Sequence, residues 1–209
     1  MSARDEFLQA IVASDRASAT AIARRAIAQS GDVIEVYGGL LQEALYEVGR
    51  RWQTGQLTVA QEHAATATVQ FVLSSLYMEL PRTAPARGVA VVAGVPGEMH
   101  QVGAHMVADT LEGDGWRVHF LGADVPVDAL VQTVEEQQAT LVGLSSTMPA
   151  NLPTLVATIR ELRQRFGDDL RVLVGGQGWL NTDVRNFGAD AFARDVLAAR
   201  DVARELAAA

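Results

Sequence analysis

Apolar positions recur every three to four places through residues 1–80, and from there on they gather into short β-branched runs. The helical spacing fills four segments, "DEFLQAIVA", "ASATAIARRAIAQ", "VIEVYGGLLQEALYEVGRRW" and "TVAQEHAATATVQFVLSSLYMEL". Gly31 with Asp32, and Gly55 with Thr58, supply stop and cap signals between them. This pattern predicts a four-helix bundle over 1–80. Two prolines and small residues in "PRTAPARG" (81–88) mark a linker.

Over 88–209 the runs "VAVVAGV", "WRVHFLG", "TLVGLSS", "RVLVGG" and "DAFARD" alternate with "QVGAHMVADTLE", "VDALVQTVEEQ", "LPTLVATIRELRQRF", "NTDVRNFG" and "LAARDVARELAAA". Five strands, each followed by a helix, predict an α/β unit: a doubly wound, five-stranded parallel sheet of flavodoxin or Rossmann-like type. In such sheets ligands sit beyond the carboxyl ends of the strands, where the strand order reverses. The loop "GVPGEMHQVG" (94–103) ends the first strand and occupies that position.

Composition narrows the function. With 209 residues, 49% of them hydrophobic, the chain can bury sizeable cores. A net charge of −8 and a pI near 5.0 leave no basic face of the kind that displaces counterions from phosphates, so no direct nucleic-acid contact is expected. The absence of cysteine excludes disulfides, thiolate zinc sites and cysteine nucleophiles, and fits a reducing compartment. The start "MSARDEFLQ" holds no apolar signal core, and no run of about 18 apolar residues occurs. A cytoplasmic protein without membrane attachment is expected.

A dinucleotide is disfavoured, because GxGxxG is missing and Gly94, Gly97 and Gly103 are wrongly spaced to bring N–H groups onto a pyrophosphate. Zinc is disfavoured too: His63, His100, His105 and His119 form no HxH or HExxH pattern. What remains is a metal that needs one protein ligand because a cofactor supplies the others.

"EMHQVG" resembles the acidic-x-His-x-x-Gly signature of cobalamin-binding domains. "SST" (145–147) is similar to their Ser-x-Leu/Thr element, and "VGGQ" (174–177) to their Gly-Gly element. The resemblance implies that His100 is the lower ligand of cobalt and that Glu98 accepts a hydrogen bond from its other ring nitrogen. It implies that Glu98, Met99, Gln101, Val102 and Gly103 border the corrin, and that Ser145, Thr147, Gly175 and Gly176 line the nucleotide tail.

In the helical half, Trp52 is followed after nine residues by Glu62 and His63, which resembles the Trp-x9-Glu-His signature of CarH-type photoreceptors. That resemblance implies adenosylcobalamin as cofactor, a bundle over the upper face of the corrin, and Trp52 and Glu62 against the adenosyl group. Trp52 as a core residue, with Glu62 and His63 on a polar helix face, is the plainer reading of the same positions. Family members carry a MerR-type DNA-binding domain and a histidine after the tryptophan; this sequence begins at the bundle and has Gln53 there. The expectation is a light-sensing module that is not itself an enzyme, with photolysis of the Co–C bond passed to a protein partner such as a regulator or repressor, or to a change in homo-oligomeric state. The alternatives are a corrinoid carrier of a methyltransferase system, which must open its upper face to two enzymes, and the small subunit of a radical mutase, which leaves the bundle unused.

Overall fold

A computed structural model describes residues 2–81, 84, 87–179 and 183–208. Two compact units, Met1–Leu80 and Pro81–Ala209, make up the chain. Of the expected linker, Arg82, Thr83, Pro85 and Ala86 lie outside the described residues.

In the first unit α1 (Ala3–Val12) starts at a capping box between Ser2 and Asp5, and α2 (Arg16–Ser30) is capped by the Asp15 carboxylate, which accepts from the Ser18 N–H at 3.0 Å. Gly31, at φ +75°, ends α2 in the left-handed conformation that a side chain would resist, and Asp32 caps the next helix at once. That helix is one rod of three parts: α3 (Val33–Val36), a π-helical turn (Tyr37–Gln42) and α4 (Glu43–Gln53). The π turn falls on the Gly38–Gly39 pair. A second capping box, Thr58 with Gln61, opens α5 (Val59–Leu76). Phe7, Ile11, Ala19, Ile22, Tyr37, Leu41, Val48, Val69, Val72 and Leu73 close the core between the helices.

The second unit is a five-stranded parallel sheet: β1 (Val89–Gly94), β2 (Arg117–Gly122), β3 (Leu141–Ser145), β4 (Arg171–Gly175) and β5 (Ala191–Ala193). The order β2-β1-β3-β4-β5 reverses the direction of winding between β1 and β3. Helices α6 (Val102–Gly113) and α9 (Val196–Ala208) bury Ala104, Ala108, Leu111, Ala199 and Ala203 on one face. On the other, α7 (Val127–Gln137) and α8 (Leu152–Phe166) bury Leu130, Val134, Leu155, Ile159 and Leu162. Both faces are apolar, which is why the strands read as nearly continuous Val, Leu and Ala.

One expected element differs. The helix expected over 181–188 is a 3₁₀ turn, Val184–Phe187, with Asn181 and Thr182 outside the described residues. Asp183 caps the turn and Gly188, at φ +92°, stops it, so there is room for one turn only. Among the described residues no helix is long and apolar enough to cross a membrane.

The Thr58 cap sets where α5 begins, and so the first turns that carry Glu62 and His63. Thr58→Ala should lower the stability of the chain by about 1 kcal/mol in urea unfolding, without shifting the position of the helix.

Candidate functional site

Sheet register brings the strand ends into line: Gly94 pairs with Ser145, Ser145 with Gly175, and Gly175 with Ala193. The loops after β1 and β3 therefore emerge side by side at the winding reversal, the crevice where parallel sheets bind ligands.

The β1 loop turns back immediately. The Glu98 N–H donates to the Val95 carbonyl at 2.9 Å, and Gly97, at φ +83°, donates its N–H to Asp124 Oδ1 at 2.7 Å. This turn carries the Glu98 side chain inward, where it is fully buried. One carboxylate oxygen accepts from the His100 N–H at 2.9 Å and contacts the His100 ring at Nδ1 at 2.5 Å. The other accepts from the Thr147 N–H at 2.6 Å, the Met148 N–H at 3.2 Å and Asn151 Nδ2 at 3.2 Å. Burial alone would raise the pKa of this carboxyl, but the bonds from His100, Thr147 and Met148 outweigh it and hold the pKa at about 2. Glu98 is therefore an anion at neutral pH. As such it fixes the proton of the imidazole on Nδ1 and leaves Nε2 as the ring's lone-pair donor.

The remaining expected positions fall around this pair. His100 is exposed, with 54% of its side chain accessible, and Met99 beside it is exposed as well. Gln101 caps the start of α6, Val102 is its buried first residue, and Gly103 has open space where a side chain would stand. Ser145 is half-buried at the end of β3. Thr147 meets Glu98 through its backbone N–H. Gly175 ends β4 against the Ala193 carbonyl. Gly176, at φ +115°, lies so close to Ser146 that a Cβ would fall on the Ser146 carbonyl, far inside contact distance.

Two participants escaped the sequence reading. Asn151 approaches Glu98 from 53 residues away, a pairing that no local motif encodes. Ser146 is completely buried, its carbonyl accepts from Trp179 Nε1 at 2.8 Å, and its hydroxyl has no hydrogen-bond partner among the described residues. A buried polar atom without a partner is rare in a native fold and marks a place for a ligand or water.

In the helical unit, Trp52 and Gln53 end α4, and Glu62 and His63 stand in the first turns of α5 across the intervening turn. Trp52 is 43% accessible, so it does not fill the bundle core. Glu62 accepts from the Thr66 hydroxyl at 2.9 Å through one oxygen and meets His63 Nδ1 at 2.5 Å through the other. Among the described residues, no three His, Asp or Glu side chains converge as a metal cage. A single imidazole ligand under a metal that brings its own equatorial donors fits this arrangement. So do the side-chain-free Gly175–Gly176 step and the unpartnered Ser146 hydroxyl.

Residues 88–200 match the B12 binding domain family, and residues 3–77 match a second family of the same description. The chain belongs to the B12-binding family. This B12-binding chain is 29% identical over 165 residues to the dimethylamine corrinoid protein 3 of Methanosarcina mazei, covering 78% of this chain and 99% of that one. It superposes on the monomethylamine corrinoid protein of Methanosarcina barkeri with a TM-score of 0.86 at 21% identity, over 98% of each chain, which establishes a shared fold. The transcriptional repressor CarH of Myxococcus xanthus is 35% identical over 143 residues, 68% of this chain but 47% of the repressor. These matches overturn the light-sensing expectation and the CarH-type assignment. The likeness to CarH reaches only part of each chain, whereas the likeness to a corrinoid protein extends over nearly all of that relative. The Trp-x9-Glu-His spacing was read as a mark of the photoreceptor class, a class that these matches do not support.

Two outcomes test this geometry. Glu98→Gln should cost about 3 kcal/mol at pH 7, because the anion's folded pKa of about 2 lies below its ordinary 4.5. That contribution is complete above pH 4.5 and is lost as pH falls towards 2, so the gap between the two proteins' urea midpoints should close over that range. Gly176→Ala should destabilise the α/β unit by about 2 kcal/mol or more, since the left-handed backbone and the Ser146 carbonyl both oppose a side chain. Hydrogen exchange at the Trp179 indole would report the loosened approach.

Proposed function

We propose that the chain is a corrinoid carrier of a methyltransferase system, not an enzyme in its own right, working between partner enzymes that load and unload it. The carrying observation is the match to the dimethylamine corrinoid protein over 99% of that relative's length. The Glu98–His100 pair at the sheet's winding reversal supports it. The names of the relatives point to a methylated amine as the source of the group. In this reading the ligand that cycles above the metal is methyl, and the adenosyl group expected from the sequence has no part in turnover.

Bound cobalamin would supply a cobalt centre able to take up and release a methyl group. The residues of the chain set the donor beneath it. His100 offers Nε2, and the ionised Glu98 holds the proton at Nδ1, which raises the electron density the ring can share. Thr147, Met148 and Asn151 keep Glu98 from turning towards solvent. The hydroxyl of Ser146 would find in the nucleotide tail the partner it lacks among the described residues, and the Gly175–Gly176 step would leave that tail room. Trp52, Gln53, Glu62 and His63 form a polar and aromatic edge on the helical unit.

Absorption titrations with methylcobalamin and adenosylcobalamin test the reading. The chain should bind methylcobalamin at least as tightly, with a histidine-ligated spectrum that His100→Ala abolishes. Loaded with methylcobalamin alone, it should leave a thiol acceptor unmethylated until a methyltransferase is added. A tenfold preference for adenosylcobalamin, or methylation of the thiol without a second protein, would sink the carrier reading.

A further inference from the structure

The sequence has no lysine, and within the helical unit most arginines meet a carboxylate: Arg4 with Glu43, Arg25 with Glu6, and Arg50 and Arg51 with Glu47. Arg16 and Arg24 of α2 are exposed and form no ion pair among the described residues. The nearest acid in sequence, Asp15, is engaged in capping α2. The two arginines border an open groove of about 540 Å³, lined between them by Ala17, Thr20 and Ala21 and on its far side by Phe71 of α5. Phe71 is 46% accessible, and the Arg16 guanidinium lies over its ring, 5.2 Å from the centroid.

We infer that this groove docks an acidic amphipathic helix of a partner protein, its carboxylates on Arg16 and Arg24 and an apolar side chain against Phe71. Arg16 and Arg24 are eight residues apart, about 12 Å along the helix axis. A helix lying along α2 with acids two turns apart would therefore reach both. The small residues between the arginines let its backbone approach to ordinary helix-packing distance, and each guanidinium can take a carboxylate through two parallel bonds. Charge complementarity decides the kind of partner. The helical unit holds nine carboxylates against six arginines, so an acidic segment is repelled elsewhere and drawn to this one face where positive charge is not already matched. Phe71 lies nine residues beyond Glu62 on α5, about half a turn round the helix. A partner held here would leave the Trp52–Glu62 edge open, as a carrier requires. The inference rests on the carrier reading only in expecting a protein partner.

The probe is a synthetic, fluorescently labelled amphipathic peptide with two glutamates eight residues apart and a leucine between them, titrated into the full cobalamin-loaded chain. It should bind saturably and more weakly as salt rises. The Arg16→Glu/Arg24→Glu double variant should lose about tenfold or more in affinity, and Phe71→Ser several-fold. A peptide with lysines for glutamates should bind the double variant and not the parent, a rescue that general surface damage would not produce. Thermal melts and the bound-cobalamin spectrum should match for all these exposed-residue variants. Equal affinity of parent and double variant, or no binding by the parent, overturns the inference. So does sedimentation showing that the parent dimerises and the double variant does not, which would put a second copy in the groove. A chain that carries methyl groups yet ignores the peptide overturns this inference alone, and one that binds the peptide but carries no methyl group overturns only the carrier reading.

Discussion

A completely buried carboxylate that must remain charged organises the carboxyl edge of the sheet. Removing an anion from water costs several kcal/mol unless its lone pairs are filled by donors of good geometry. Glu98 meets that condition with donors from two loops, His100 on its own and Thr147, Met148 and Asn151 on the loop after β3. Neither loop can satisfy it alone. The site thus forms only when β1 and β3 are paired in register, and the histidine it orients is in place as soon as the sheet is.

The same edge shows how little side-chain volume the rest of the crevice tolerates. Gly176 exists to let the end of β4 touch the Ser146 carbonyl, and the Trp179 indole then binds that carbonyl from beyond. Ser146 is held by its backbone from both sides while its hydroxyl stays unmatched among the described residues. Rigid backbone around one unpaired polar group is a pre-organised arrangement: the ordering entropy is lost on folding and need not be lost again on binding.

Much of this was readable in the sequence. The switch from a period of about 3.6 to β-branched runs separates the two units, because burial on one helix stripe and burial on both faces of a strand demand different spacings. "EMHQVG" gave His100 and Glu98 because their interaction is local, two residues apart. Thr147 was expected along the nucleotide tail, and its N–H bond to Glu98 was not legible, because backbone donors carry no residue signature. Asn151 and Ser146 depend on which loop faces which across the sheet, a property of topology. The light-sensing expectation failed for a related reason: the spacing of Trp52, Glu62 and His63 is a local feature of one helical unit, whereas the corrinoid-protein match that overturns it runs over 78% of the chain.

The π turn at Tyr37–Gln42 bears on that edge as well. Such a turn holds one residue more than the α-helical path needs, accommodated here at two glycines. Its presence fixes the phase of everything after it, since each residue on a helix advances the side chains by about 100°. If the same residues wound as a plain α-helix throughout, no charge would change and no core residue would be lost. Yet Trp52 and Gln53 would then point about a quarter-turn away from where they now stand. The chemistry of the helical edge is therefore tuned by a count of residues some fifteen positions upstream, in a stretch that carries no chemistry of its own.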